Sequence, residues 1–272
     1  MTATVPFQGV QASPGRSAAI PAGGKAASSR ATDLHARASA DFDARLAQAK
    51  ELLQTAAADF SPVTQASSLG AEDVVITHLI ESLALDIPVF VLETGLLHPQ
   101  TLELLERTRS ASRVPVIVYR PAEESVARFV EREGSDAMYR SVELRKACCH
   151  VRKLEPLERA LAGKRGWVTG LRREQSNARA EVPLLDAGDE PRTGRVKFNP
   201  LANWSWGDVW YYIKLHGVDY NPLHDQFYPS IGCAPCTRAI SLGEEFRAGR
   251  WWWEDESAKE CGLHLKKDEV GA

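Results

Sequence analysis

From residue 41 onward the chain carries two hydrophobic rhythms. Between Asp41 and Ala58, Phe42, Leu46, Leu52 and Leu53 recur at the spacing of one helix face. Val63-Thr64-Gln65-Ala66-Ser67 reads as a strand and Ser68-Leu69-Gly70 as a loop. Residues 71–85 read as a second helix, with Val74, Val75, Leu79 and Leu83 apolar. Pro88-Val89-Phe90-Val91-Leu92 is an unbroken apolar run, as expected of a parallel strand covered on both faces. Glu93-Thr94-Gly95 ends it. A helix over 99–112 and a strand over 115–119 repeat the unit. Helices over 123–133 and 150–162 and a strand at Trp167-Val168-Thr169 follow, with no internal repeat.

Strands alternating with helices at this spacing predict an α/β fold with a doubly wound, mostly parallel sheet of Rossmann type. Ligands in such folds bind beyond the carboxyl ends of the strands, which puts the loops 67–73, 93–98 and 169–179 on one rim. From about residue 221 the pattern turns irregular and dense in Cys, Trp, Arg and Gly, as expected of an extension lying over that rim. The expected organisation is a disordered tail over 1–30, one α/β domain over 31–240 and a mobile C-terminal segment over 241–272.

Composition narrows the function. The chain has 272 residues, 44% hydrophobic and 25% charged, enough apolar material for a core without disulfide staples. The net charge of −3 provides no global basic field for nucleic acid, so an anionic ligand needs local Arg and Lys. No apolar run approaches the roughly 18 residues of a membrane span. Pro6, Gln8, Gln11, Ser13, Pro14, Gly15 and Arg16 interrupt any block resembling a secretory signal. A cytoplasmic location is therefore expected. Thiols stay reduced there, so five cysteines point to metal ligation or catalysis.

Those cysteines fall into two close pairs and an outlier. Cys148 and Cys149 are adjacent, Cys233-Ala-Pro-Cys236 is a C-x-x-C, and Cys261 stands apart. The grouping suggests one metal site and one reactive thiol. Vicinal cysteines on a single zinc ion would close a small, strained ring, whereas in a four-iron cluster each thiolate binds a different iron. That favours an iron–sulfur cluster over zinc or over buried redox thiols. A thioredoxin-like reading of the C-x-x-C requires a strand-to-helix context that Ser230-Ile231-Gly232 offers poorly. Lys153, four residues after Cys149, is expected on the same helix face, where it would offset thiolate charge.

Other motifs are weaker alone. Ser67 to Asp73 could cradle an anion on backbone N–H groups at a helix N-terminus, or be a plain turn. The Arg172–Arg173 pair by itself reads more often as solvated surface. Three adjacent tryptophans, Trp251 to Trp253, point in different directions on any regular element and are expected to clamp the tail by packing.

Four motifs in order carry a specific resemblance. They are Lys146-Ala-Cys-Cys-His-Val-Arg-Lys153, Gly232-Cys-Ala-Pro-Cys-Thr-Arg238, Gly249-Arg-Trp-Trp-Trp-Glu254 and Glu260-Cys-Gly-Leu-His264. Together, over roughly residues 40–265, the chain resembles the assimilatory adenylyl-sulfate (APS) reductases. The related phosphoadenylyl-sulfate (PAPS) reductases share the fold and the terminal cysteine motif and typically lack the cluster cysteines.

The resemblance implies an ATP-pyrophosphatase-like fold and one 4Fe-4S cluster on Cys148, Cys149, Cys233 and Cys236. It implies Cys261 as the nucleophile, forming an S-sulfocysteine that thioredoxin resolves to sulfite, in sulfate assimilation and cysteine biosynthesis. His264 and Lys259 would lower the thiol pKa; the competing reading of Cys261 is a free surface cysteine. The loop with Ser67 and Gly70 resembles a modified phosphate loop, with Leu69 where Ser is common. Glu93, Thr94 and Gly95, with His98-Pro99, resemble the second substrate loop, where Asp commonly stands at 93. Arg172, Arg173 and Arg179 match an Arg-rich loop. Arg247 and Arg250 match the sulfate- and phosphate-binding arginines, with Lys153 and His264 reaching the same anion. The alternatives are a PAPS reductase, an ATP-pyrophosphatase-type thiolation enzyme (the Ser-Gly-Gly-x-Asp-Ser loop is missing), and a metal-binding or redox-sensing module. A homo-oligomer stays open.

Overall fold

The computed structural model describes residues 30–190 and 194–255. The expectations for residues 1–29, Cys261 and His264 fall outside them.

The chain opens with α1 (Ala31–His35) and α2 (Phe42–Asp59), then β1 (Val63–Ser67), α3 (Ala71–Ser82), β2 (Val89–Leu92), α4 (Pro99–Ala111), β3 (Val116–Tyr119) and α5 (Glu123–Glu133). It continues through α6 (Val142–Cys149), a π-helical turn at His150–Leu154, α7 (Glu155–Leu161), β4 (Gly166–Val168), β5 (Leu185–Glu190), β6 (Arg195–Phe198) and α8 (Trp206–His216). The sheet order is β3-β2-β1-β4-β6-β5. Every pairing is parallel except that of β5 with β6. The chain builds outward from β1 to β3, then returns to the other side of β1 as β4. The switch point therefore lies between β1 and β4, where doubly wound sheets place their ligands.

Local sequence accounts for much of this. Val89, Phe90 and Val91 are buried on both faces of β2, as the apolar run predicts. Ser205 accepts from the Asp208 N–H at the start of α8, and Gly217 ends the helix at φ +62° in the left-handed region. Helix α3 stops at Ser82, earlier than expected. The helix expected over 150–162 starts at Val142, where Ser141 caps the Leu144 N–H. The main core joins α2, α3 and α8 to one side of the sheet, around Leu53, Ile76, Trp204 and Trp210. After α8 the chain is irregular, with short 3₁₀ turns at Pro222–Gln226 and Ala234–Cys236. It is tied back by bridges Leu97–Cys233 and Thr237–Arg250. Among the described residues no helix is long and apolar enough to cross a membrane.

Candidate active site

A cleft of about 200 Å³ opens at the switch point. Its floor is apolar, with Ala66, Phe90 and Trp167, and its rim is polar. The loop after β1 turns sharply. Leu69 sits at φ +61° with its side chain buried, and the Ser67 hydroxyl accepts the Leu69 N–H at 3.1 Å. One oxygen of Asp73 accepts both the N–H and the hydroxyl of Ser68, each at 2.7 Å. The Ser68 and Leu69 donors that an anion would use are thus already taken. Burial pushes the Asp73 carboxyl up to about 6 in spite of the Ser68 bonds. A Cβ on Gly170 would clash with Asp73 Oδ1, so any side chain there would have to displace this buried carboxylate.

Four of the expected cations line the cleft: Lys153, Arg179, Arg247 and Arg250. Arg250 stacks on Trp251 at 4.6 Å and reaches Ser230 Oγ at 3.3 Å. A Cβ on Gly232 would come within 2.4 Å of its guanidinium. Arg179 donates to Gln175 Oε1 at 2.6 Å. Ser67, Gly70 and Thr94 are also in the wall.

The remaining expected residues lie elsewhere. Arg172 is fully buried behind the wall. It donates to Glu72 at 2.8 Å and to Glu174 at 3.2 Å, and stacks on Trp206 and Phe246. Arg173 is exposed and donates to the Val182 carbonyl at 2.9 Å. Glu93 accepts from the Gly95 N–H at 2.7 Å and from Arg120 at 3.0 Å, shaping the turn that Gly95 makes at φ +73°. The geometry adds Glu72 and Gln175 from the expected rim loops, and His224 and Phe246, which no sequence pattern marked.

Beside the cleft, Cys148, Cys149, Cys233 and Cys236 are all buried around a second cavity of about 10 Å³, together with Arg145, Arg152, Lys153 and Trp251. Lys153 and Trp251 line both cavities. Among the described residues no three His, Cys, Asp or Glu side chains converge on one metal ion. Thiols around a shared cavity suit a polynuclear cluster better than a single zinc. Burial raises the Cys148 thiol, with Arg152 opposing, and pushes Cys236 up to about 11 with help from Cys233. Thr94 Oγ1 lies 3.3 Å from Cys233 Sγ, and Arg152 donates to the Thr94 carbonyl at 2.8 Å. The cysteine pair ends α6 where the π turn begins: the Glu155 N–H bonds His150 O, five residues back. In this wider turn Arg152 and Lys153 both act electrostatically on Cys148, a pairing the simple i, i+4 expectation from Cys149 did not include.

The described residues thus form a doubly wound α/β domain with a cationic cleft at its switch point and a thiol cavity sharing one wall with it. The chain belongs to the phosphoadenosine phosphosulfate reductase family, whose domain model matches residues 62–239. It is 52% identical over 223 residues to a protein of Allochromatium vinosum named adenosine 5'-phosphosulfate reductase, covering 82% of this chain and 86% of that one. A Neisseria meningitidis protein of the same name is 50% identical over 218 residues, covering 79% and 88%. Among solved structures, the phosphate complex of phosphoadenylyl-sulfate reductase from Candida auris superposes with a TM-score of 0.59 at 26% identity, over 75% of this chain and 98% of that one. Yeast FAD synthetase, at 12% identity and TM-score 0.50 over 78% and 76%, shares the fold.

Proposed function

We propose that the chain reduces adenylyl sulfate to sulfite and AMP in sulfate assimilation, using thioredoxin or a similar dithiol protein in the reducing cytoplasm. The observation that carries this is the wall common to both cavities, where Lys153 and Trp251 face both the buried thiols and the cleft and the cleft-lining Arg250 stacks on Trp251. The names of relatives at about half identity support APS rather than PAPS.

In this reading Lys153, Arg247 and Arg250 hold the phosphosulfate. Arginine suits the work because its planar fork takes two oxyanion oxygens at once. The Cys261 thiolate attacks the sulfur of the bound sulfate. A new S–S bond forms, the S–O bond to the phosphate breaks, and AMP leaves with that oxygen and its electron pair. A thiolate of the dithiol protein then attacks Cys261 Sγ and expels sulfite. The second thiol resolves the mixed disulfide, so the two electrons come from the dithiol. His264 supplies positive charge to Cys261 and to the anion. Arg179 and the loop with Ser67 and Gly70 border the nucleotide; Arg172, Arg173, Glu93 and Gly95 shape the loops around it.

Cys148, Cys149, Cys233 and Cys236 would hold one 4Fe-4S cluster. When bound, it supplies a fixed anchor for the wall and a compact charge beside the substrate cations. Arg152 and Lys153 offset the charge of the four thiolates, and Thr94 orients toward Cys233.

Two experiments test the reading. Incubating the protein with sulfur-labelled APS and no dithiol is expected to leave label on Cys261 that thiols release. Unlabelled protein, under conditions where AMP appears, contradicts the mechanism. The purified protein is expected to be brown, absorbing broadly near roughly 400 nm with about four iron atoms per chain, and Cys149→Ser to lose most of that iron. Colourless protein with stoichiometric zinc removes the cluster.

A further inference from the structure

His224 is the candidate least explained by the structure around it. It sits in the 3₁₀ turn after α8, which Asn221 fixes by accepting the Leu223 N–H at 3.1 Å and donating to Thr101 Oγ1 at 2.8 Å. The ring packs edge-on against Trp210 at 5.2 Å and Trp206 at 6.0 Å, and only 6% of the residue is exposed. The Tyr228 backbone takes one weak bond from the ring, neither nitrogen has a hydrogen-bond partner of ordinary geometry, and the residue lines the cleft. Burying polar atoms without well-formed partners is costly, and such a group in a binding cleft marks a place where a ligand completes the bonding.

The chemistry of the missing partner follows from what faces the ring. Burial pushes the imidazole down to about 4, so at neutral pH it offers one N–H donor and one acceptor. Glu72 is the carboxylate acting on it most strongly. Glu72 also lines the cleft, and its Oε1 takes bonds from both Arg172 and Gln175. An anion presents only acceptors and would meet the Glu72 charge. A hydroxyl can donate to the carboxylate and accept from the imidazole. The cations Lys153 and Arg250 gather beside Trp251 and the thiol cavity, whereas His224 packs on α8.

We propose that His224, with Glu72, binds a ribose hydroxyl of the nucleotide and so holds the sugar while the anion wall holds the phosphosulfate. This rests on the reading that the cleft binds adenylyl sulfate. Binding of AMP, 2'-deoxy-AMP and 3'-deoxy-AMP to the full-length, iron-loaded protein tests it by calorimetry, independently of turnover. Wild type is expected to bind AMP about ten-fold or more tighter than one deoxy analogue. His224→Leu is expected to weaken AMP by a similar factor and to erase that preference. His224→Gln, which keeps a donor and an acceptor, is expected to restore much of it. Iron content and thermal midpoint check that the variants fold.

Equal wild-type affinity for all three nucleotides overturns the proposal without any variant. So does His224→Leu binding AMP as tightly as wild type, or weakening all three ligands equally, which would make the ring a packing element. Wild type that binds no AMP at all instead sinks the reading of the cleft on which the proposal rests.

Discussion

Cys261→Ser is expected to lower sulfite release by at least about three orders of magnitude while leaving iron content and AMP affinity unchanged. The size follows from two separate losses. A serine hydroxyl is almost wholly protonated at neutral pH, where a cysteine beside cations is partly thiolate. A serine sulfate, even if it formed, would have no cysteine sulfur for the dithiol to attack, so the second half of the reaction has no route. The measurement is sulfite release with a dithiol donor, run beside an AMP titration of the same sample. Turnover within ten-fold of wild type would move the nucleophile elsewhere.

The second large effect is on stability. Arg145 and Glu254 form a two-pronged pair at 2.9 and 2.6 Å, with side chains 0% and 3% exposed. Arg145 also stacks on Trp251 at 4.5 Å, and Arg250 stacks on the same indole at 4.6 Å. Breaking one partner of a buried pair strands the other charge, a cost of about 3–5 kcal/mol. Arg145→Met is therefore expected to lower the thermal midpoint by roughly 10 °C. Replacing both partners with apolar residues of similar volume is expected to recover most of that loss, because the stranded charge is gone. Calorimetric melting of the single and double variants checks both statements. A single variant as stable as wild type would mean that the pair is open to water in solution. Trp251 to Trp253 were expected to clamp the tail by packing. Trp251 is buried beside the cysteines and Trp252 is 40% exposed, while the tail itself falls outside the described residues.

Much of the sheet was legible because hydrophobic runs report burial directly, as at Val89–Leu92. Strand β6 was not, because it reads Arg-Val-Lys-Phe. Lys197 is 4% exposed, with its ammonium 5.0 Å from the Trp167 ring, so a charged residue occupies a place the pattern reserves for apolar ones. Edge strand β5 carries acidic residues and lacks the apolar run that marks a central strand. In the site, the cysteine pairs were legible because their adjacency is itself a chemical constraint. The arginines were not separable. Arg172 and Arg250 look alike in sequence; the first faces Glu72, one hundred residues away, and the second faces the cleft. Nothing local encodes that difference. His224 lies in an aperiodic turn, where no spacing rule marks a side chain as turned inward.

The π turn at His150–Leu154 reconciles two demands that a uniform helix could not meet together. The residues before it must aim two neighbouring sulfurs at the thiol cavity, and those after it must press Leu157, Ala160 and Leu161 onto Phe90 and Trp167. A helix of constant pitch ties these azimuths together through residue count alone. The wider turn acts as an angular offset, so each end takes the bearing its own neighbours require. Lys153 rides within that offset, and its position between the two cavities is therefore a property of helix phase as much as of side-chain chemistry.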